Sequence, residues 1–375
     1  MERSSISHKV AEGVAKLVGG VSPFLESFGN AKTVMNDNSS RFGKFMKIQF
    51  NKGRIVGGEA EHYLLEKGRL SYQGYDERNF HIFYFFLKGA TTEERKRLNL
   101  KKVEDYPMLM MGNSPIIVHE TKSDGTNTYD VDRMNNKLSD DPDDTGCRAA
   151  LTHAKVSVKE QQNMWTIVAV VLKLGSLKFK DVNAKGVDGS VVKNMDLANE
   201  ISKLMGLDHL PKEESLAQML CIYRRKVPGN KIIDSPVNAK QAEDQKNALL
   251  KDMYSKMFDE IIKCVNRVLV PTRQPEAFVG ILDIFGFEVF KKNSMEQLCI
   301  NFANEKLQNL FNYNVFVKER ETYRGEGLPE DVIPDFRDNT PCCNLVSGTY
   351  KKTKIVGIFT KLDDLKSQKN ATDKK

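Results

Sequence analysis

Residues 247–269 carry apolar side chains at helical spacing, Leu249, Met253, Met257, Ile261, Val265 and Val268, and Pro271 stops the run. Soon after it, AFVGIL at 277–282 is a continuous apolar stretch that ends on Asp283. A short apolar run closed by a charge predicts a strand buried on both faces. A carboxylate at the carboxyl end of such a strand is well placed for a ligand. The rest of the chain has to fit around this pair of elements.

Downstream, Ser294 and Gln297 have the spacing of a capping box. Leu298, Phe302, Leu307, Leu310 and Phe311 then fall on one helical stripe. This predicts a second long helix from Ser294 to about Tyr323, its stripe packed in the core. Upstream, Met46, Ile48 and Phe50 alternate with Lys47 and Gln49, and Asn51, Lys52 and Gly53 form a turn signal before Arg54. That predicts a hairpin from Phe42 to about Val56. No internal repeat divides the chain; the breaks fall at 139–144, at 226–239 and after Arg324. The carboxylates of the first break lack the spacing of a calcium loop, so it reads as a solvated loop.

Composition narrows the function. With 375 residues, 40% of them hydrophobic, the chain can bury one large or two medium cores. Its best apolar run, 165–174, is too short to cross a bilayer and contains Lys173, and the first residues lack the apolar core of a signal peptide. The reading is therefore no membrane span and a cytoplasmic protein. The six cysteines show no C-x-x-C spacing, which fits a reduced compartment. Of the net charge of +7, residues 349–375 supply +5, with eight lysines against three aspartates. A lysine-rich end with few aromatics reads as solvated, not as a groove with a basic stripe and stacking rings, so no nucleic-acid partner is expected.

Two segments carry chemistry. NDNSSRFG at 36–43 packs amide, hydroxyl and guanidinium groups just before a strand. Phosphoryl transfer needs such groups: hydroxyls that ligate magnesium, and amide or cationic donors around the γ-phosphate oxygens. Asn36, Ser39, Ser40 and Arg41 are of those kinds, although a polar turn entering a hairpin would look the same. DIFGFE at 283–288 ends the apolar strand with a carboxylate and places a glycine three residues on. An Asp there reaches a magnesium shell, and the Gly lets a backbone N–H approach the γ-phosphate. Arg41 and Glu288 offer a charged pair that could latch the two loops.

These segments, with LESFGNAKT at 25–33, YLLEK at 63–67, ERNFHIFY at 77–84 and NFANEKLQ at 301–308, resemble the myosin motor head in order and context. The wording at 40–46 and 287–294 is most similar to the divergent myosins of apicomplexan parasites. The resemblance implies an α/β fold, a P-loop NTPase of the myosin-head type, with an incomplete central sheet surrounded by long helices and a helical upper actin-binding subdomain. It implies that residues 36–43 are switch I and 283–288 switch II. Ser40 and Asp283 would then serve magnesium. Asn36, Ser39, Ser40, Arg41, Asp283 and Gly286 would lie at ATP, and Arg41 would bridge to Glu288 on closure. Asn36, Ser39, Arg41, Gly286 and Glu288 would be the catalytic set. The helix from Ser294 would be the relay. The implied layout is 1–58 for a helix, switch I and the transducer hairpin, and 59–240 for the upper actin-binding half. Residues 241–325 would hold the long helix, switch II and relay, and 326–375 the start of the next subdomain with a basic tail.

The implied activity is Mg-ATP hydrolysis coupled to movement on F-actin, with light chains only in a full-length form. No G-x-x-x-x-G-K-[ST] occurs in the chain. The expectation is a fragment lacking the phosphate loop, the lower actin-binding half, the converter and the lever, inactive alone. The position of the actin loop that carries an acidic or phosphorylatable residue in the family falls on Asn230 or Lys231, with Ser235 a weak substitute. Two other readings remain: a non-catalytic actin-side interaction fragment, and a kinesin-like microtubule motor, against which Phe42, Gly43, Phe285 and Phe287 speak.

Overall fold

The computed structural model describes residues 22–114, 129–135, 146–184, 187–229, 231–291, 293–349 and 356–366. The acidic break at 139–144 and Asn230 lie outside them. The chain divides into two units, Met1–Ile284 and Phe285–Lys375.

In the first unit the hairpin forms where the turn signal places it. β3 (Gly43–Asn51) and β4 (Arg54–Tyr63) run antiparallel around Lys52 and Gly53, both at positive φ, as a tight two-residue hairpin turn requires. The second strand is longer than its pattern suggested. Its register shifts between Gln49 and Phe50, leaving Val56 as the extra residue of a bulge. Ahead of the hairpin, a helix at 22–29 leads to β1 (Asn30–Ala31), which pairs with β2 (Ser39–Ser40). Two hairpins lie further on, β5 (Phe179–Ala184) with β6 (Val187–Val192) and β7 (Ile222–Val227) with β8 (Lys231–Pro236). The last of these occupies the stretch that the sequence marked only as a break, and Lys231 and Ser235 are part of it.

The long helix spans Ala239–Leu269. It begins well before Asn247, because Asn238 and Gln241 form a capping box whose first turns are polar. Its buried face runs through Leu250, Tyr254, Phe258, Ile261 and Val265. Leu249, Met253 and Val268 flank that face, so the stripe is rotated from the one that aliphatic residues alone suggested. Tyr254 stacks on Phe80 at 4.9 Å, and Phe28 and Phe86 stack on Trp165 at 6.4 and 5.2 Å. These rings are among the largest fully buried side chains of the protein.

β9 (Ala277–Asp283) joins the hairpin in the order β4-β3-β9 and is antiparallel to β3. The expectation of a strand buried on both faces is wrong for these residues: Phe278, Val279 and Ile281 are each more than half exposed. Among the described residues β9 has β3 as its only strand partner. The opposite edge is treated differently. The Asn266 side chain accepts from Ala60 N at 2.7 Å and donates to Ala60 O at 2.9 Å, so the long helix closes the β4 edge.

In the second unit the Ser294 capping box with Gln297 starts the helix Met295–Asn312. A π-helical turn, Tyr313–Val317, carries it into Lys318–Glu326, and Gly327 ends it in the left-handed conformation. The stripe is not a core stripe. Leu310 and Phe311 are more than half exposed, while Gln297, Ile300 and Asn312 are buried. Two further helices follow, Thr340–Ser347 and Ile358–Lys366. Among the described residues no helix is long and apolar enough to cross a membrane.

Candidate nucleotide site

Residues 30–41 form a loop closed at its base by the β1–β2 ladder, Asn30 opposite Ser40 and Ala31 opposite Ser39. Arg41 N donates to Gly29 O at 2.8 Å, which ties the end of the loop to the helix before it. The tip is folded by local bonds: Thr33 N to Asn36 O at 2.9 Å, and Asn38 N to the Asn36 Oδ1 at 2.8 Å. This is the Asx geometry that a run of Asn and Asp favours. Asn38, exposed like Asn36, accepts from Asn30 Nδ2 at 3.1 Å and donates to Glu26 Oε2 at 3.2 Å. The Asn36 side chain is left on the exposed side and the two serines are half-buried.

Arg41 is almost wholly buried. Its Nε donates to Glu66 Oε2 at 2.7 Å and its Nη1 to Ser39 Oγ at 3.2 Å. Ser40 Oγ donates to Phe42 O at 2.9 Å, which leaves the hydroxyl lone pairs for another partner. On the sheet, Lys44 stands opposite Asp283, with Nζ 3.6 Å from Oδ2. The register therefore brings the end of the 36–43 segment and the strand-end carboxylate to one end of the sheet. The Asp283 side chain is 60% exposed and open to a ligand.

Gly286 and Glu288 belong to the second unit. No heavy atom lies within 4 Å of where a Cβ on Gly286 would stand. The helix Met295–Asn312 holds the segment around it. Asn304 Nδ2 donates to Phe285 O at 3.0 Å, and Asn301 both accepts from Glu288 N and donates to Glu288 O, each at 2.7 Å. Gln297 Nε2 lies 3.4 Å from Glu288 Oε2. Reading the residues as an apolar stripe overlooked these amides. Their signal was present in NFANE at 301–305, where amides recur at positions that face back along one side of a helix.

Among the described residues no cluster of three or more His, Cys, Asp or Glu side chains could hold a metal. A hydroxyl, one carboxylate, water and phosphate oxygens are the customary shell of magnesium beside a nucleotide, and Ser40 and Asp283 fit that set.

The mixed content of helices and sheet is that of an α/β fold. The profile of the myosin head (motor domain) matches residues 3–375, and the chain belongs to that family. It is 35% identical over 374 residues to mouse unconventional myosin-IXa, covering 97% of this chain and 14% of that protein. It is 35% identical to pig unconventional myosin-VI (96% and 29%) and 38% identical to the myosin-I heavy chain of Dictyostelium discoideum (96% and 14%). The chain thus spans less than a third of these relatives' length. The finer likeness to apicomplexan myosins rests on residues 40–46 and 287–294 alone.

Proposed function

We propose that the chain is part of an actin-based motor, in which residues 36–43 and 283–288 sense the γ-phosphate of Mg-ATP and residues 59–240 serve the actin side. The observation that carries this is the β3–β9 register, which places Asp283 opposite Lys44 at the end of the 36–43 segment. Magnesium, when bound, neutralises phosphate charge and orients its oxygens. Ser40 and Asp283 are the residues that would hold it, with Asn36, Ser39 and Arg41 directed at phosphate oxygens and the Gly286 amide at the γ-phosphate. A latch between Arg41 and Glu288 is part of this reading and rests on the resemblance alone. The helix Met295–Asn312, bonded through Asn301 and Asn304 to residues 285–288, is suited to carry a shift of that segment away from the nucleotide.

A glycine-rich cradle for the phosphates is not among these residues, and we place it outside them. The test has two arms. A head that carries this segment with a G-x-x-x-x-G-K-[ST] loop should hydrolyse Mg-ATP and sediment with F-actin in an ATP-sensitive way, and Ser40→Ala should raise the magnesium concentration needed for hydrolysis. Sedimentation with microtubules and not with F-actin would reject the actin-based reading in favour of a microtubule motor. The chain by itself should fail to hold Mg-ATP at micromolar concentration, because its sequence has no G-x-x-x-x-G-K-[ST] loop to cradle the phosphates. Tight binding would show that the chain grips the phosphates without that loop.

A further inference from the structure

Both ends of the 30–41 loop are held by one stretch of chain, residues 66–80. At the far end Glu66 N donates to Arg41 O at 2.9 Å, while the Glu66 carboxylate accepts from Arg41 Nε at 2.7 Å. At the near end Lys32 Nζ donates to Asp76 Oδ1 and to Asp76 O, each at 2.7 Å, and Arg78 N donates to Lys32 O at 3.0 Å. Ala31 is bridged to Phe80 there as well. Arg69 joins the two anchors. Its Nε donates to the same Glu66 oxygen at 2.7 Å, and its Nη1 donates to Glu77 Oε2 and to Arg78 O, each at 3.1 Å.

The chemistry of this chain of contacts is strong. Arg41 and Arg69 are buried, and Glu66 is nearly so, so two guanidinium groups share one carboxylate where water screens them little. Burial alone would push the Glu66 carboxyl up. The charges of Arg69 and Arg41 and their hydrogen bonds outweigh it and hold the group below the ordinary carboxylate value. An arginine gripped at Nε cannot swing its terminal nitrogens freely, and Arg41 Nη1 is directed to Ser39.

We propose that Glu66 is a positioning residue for Arg41, and that residues 66–80 are a brace through which the two ends of the nucleotide loop move together. The proposal rests on the reading of residues 36–43 as that loop. Breaking one partner of a buried ion pair is costly, so the loop should shift with the brace and not away from it.

Hydrogen exchange on the 375-residue chain without nucleotide tests this. Glu66→Gln removes the charge but keeps the shape. It should speed exchange at the amides of Ser39, Ser40 and Arg41 by about tenfold or more, with the amides of the helix Ala239–Leu269 changed by less than about twofold. Glu66→Asp should recover part of the protection. Arg69→Gln should speed exchange at both ends of the loop, at Thr33 as well as Arg41, whereas Asp76→Asn should act on the near end alone. No change at 39–41 in Glu66→Gln, or a rise as large in the long helix, overturns the positioning role. An effect of Arg69→Gln on one end only overturns the brace. In an ATP-hydrolysing head, Glu66→Gln should lower kcat with KM for ATP within about twofold, a split that simple loss of structure would not give. The exchange arms contain no nucleotide, so a loop that is braced but never meets ATP would fail the proposed function and leave the brace standing.

Discussion

Gly29 and Phe42 approach so closely that a Cβ on Gly29 would stand 2.3 Å from Phe42 Cε1. The contact closes the base of the 30–41 loop. Phe42 leans in turn on Phe258 of the long helix, with ring centroids 5.0 Å apart, and Tyr254 of the same helix donates its hydroxyl to Phe28 O at 2.7 Å. Both flanks of the loop therefore sit on one helix face. Gly29→Ala should force the Phe42 ring aside and lower the unfolding free energy by about 1–3 kcal/mol, as overpacking of a tight core does. Adding Phe42→Leu should return part of the loss, so that the double variant is more stable than the sum of the singles predicts. Denaturant titration of the four proteins measures it, and strict additivity would show that the contact is not the cause.

Arg78 and Asp130 form an ion pair with side chains 0% and 6% exposed, Nη2 to Oδ1 at 3.1 Å, and the Arg78 guanidinium lies 3.6 Å over the Tyr84 ring. The pair pins the helix Tyr129–Asn135 to the segment that braces the loop. Asp130→Asn leaves a buried cation without its counter-charge and should cost about 3–5 kcal/mol. Replacing both partners, Arg78→Met with Asp130→Leu, should recover most of that. A loss below about 1 kcal/mol for Asp130→Asn would mean that water reaches the pair.

How far the sequence reached depended on the range of the interactions involved. The β3–β4 turn was legible because Asn51, Lys52 and Gly53 decide it among themselves, and the Ser294 cap because its partner Gln297 is three residues away. The burial of β9 was not legible, since a short apolar run has the same pattern whether or not another layer covers it. The long helix was rotated because its stripe was read from aliphatic residues alone, while the structure buries Tyr254 and Phe258. Within the candidate site, Asn36, Ser39, Ser40, Arg41 and Asp283 were singled out by residue type. Glu66 was not. It appeared only inside a family motif, because its value lies in Arg41, distant in sequence, and no local periodicity marks a buried carboxylate.

Glu160 ties the start of the helix Val158–Leu174 to the end of the long helix, its Oε1 accepting from Arg267 Nη1 at 2.7 Å. The hydrogen bond from Arg267 and that from Ser157 lower its carboxyl to about 2. A carboxylate with a pKa lower in the folded than in the unfolded chain adds stability above its ordinary value. That stability is lost as pH falls toward the folded value. Glu160→Gln preserves the capping box, because Gln serves at that position as Glu does, and removes only the charge. The variant should melt below wild type at pH 7, and the gap should close between pH about 4.5 and about 2. Both side chains are exposed, so added salt should also narrow it. A gap that persists at pH 2 would assign the effect to packing instead.

The β9 edge bears on how the 375-residue chain behaves in solution. Phe278, Val279, Ile281 and Leu282 present a flat apolar strand with no described partner on its outer side, while the β4 edge is closed by Asn266. An exposed, uncharged edge of this kind templates pairing with a second chain. Purified chain should therefore self-associate as its concentration rises. Val279→Lys, opposite Ile48 in the register, should suppress that association while shifting the unfolding free energy by no more than about 1 kcal/mol. Sedimentation velocity across a concentration series reads both proteins. If the unmodified chain stays monodisperse and melts cooperatively, the edge is closed in solution. If Val279→Lys associates as readily as the parent, the contact lies on another surface, with exposed Leu310 and Phe311 of the second unit the next to alter.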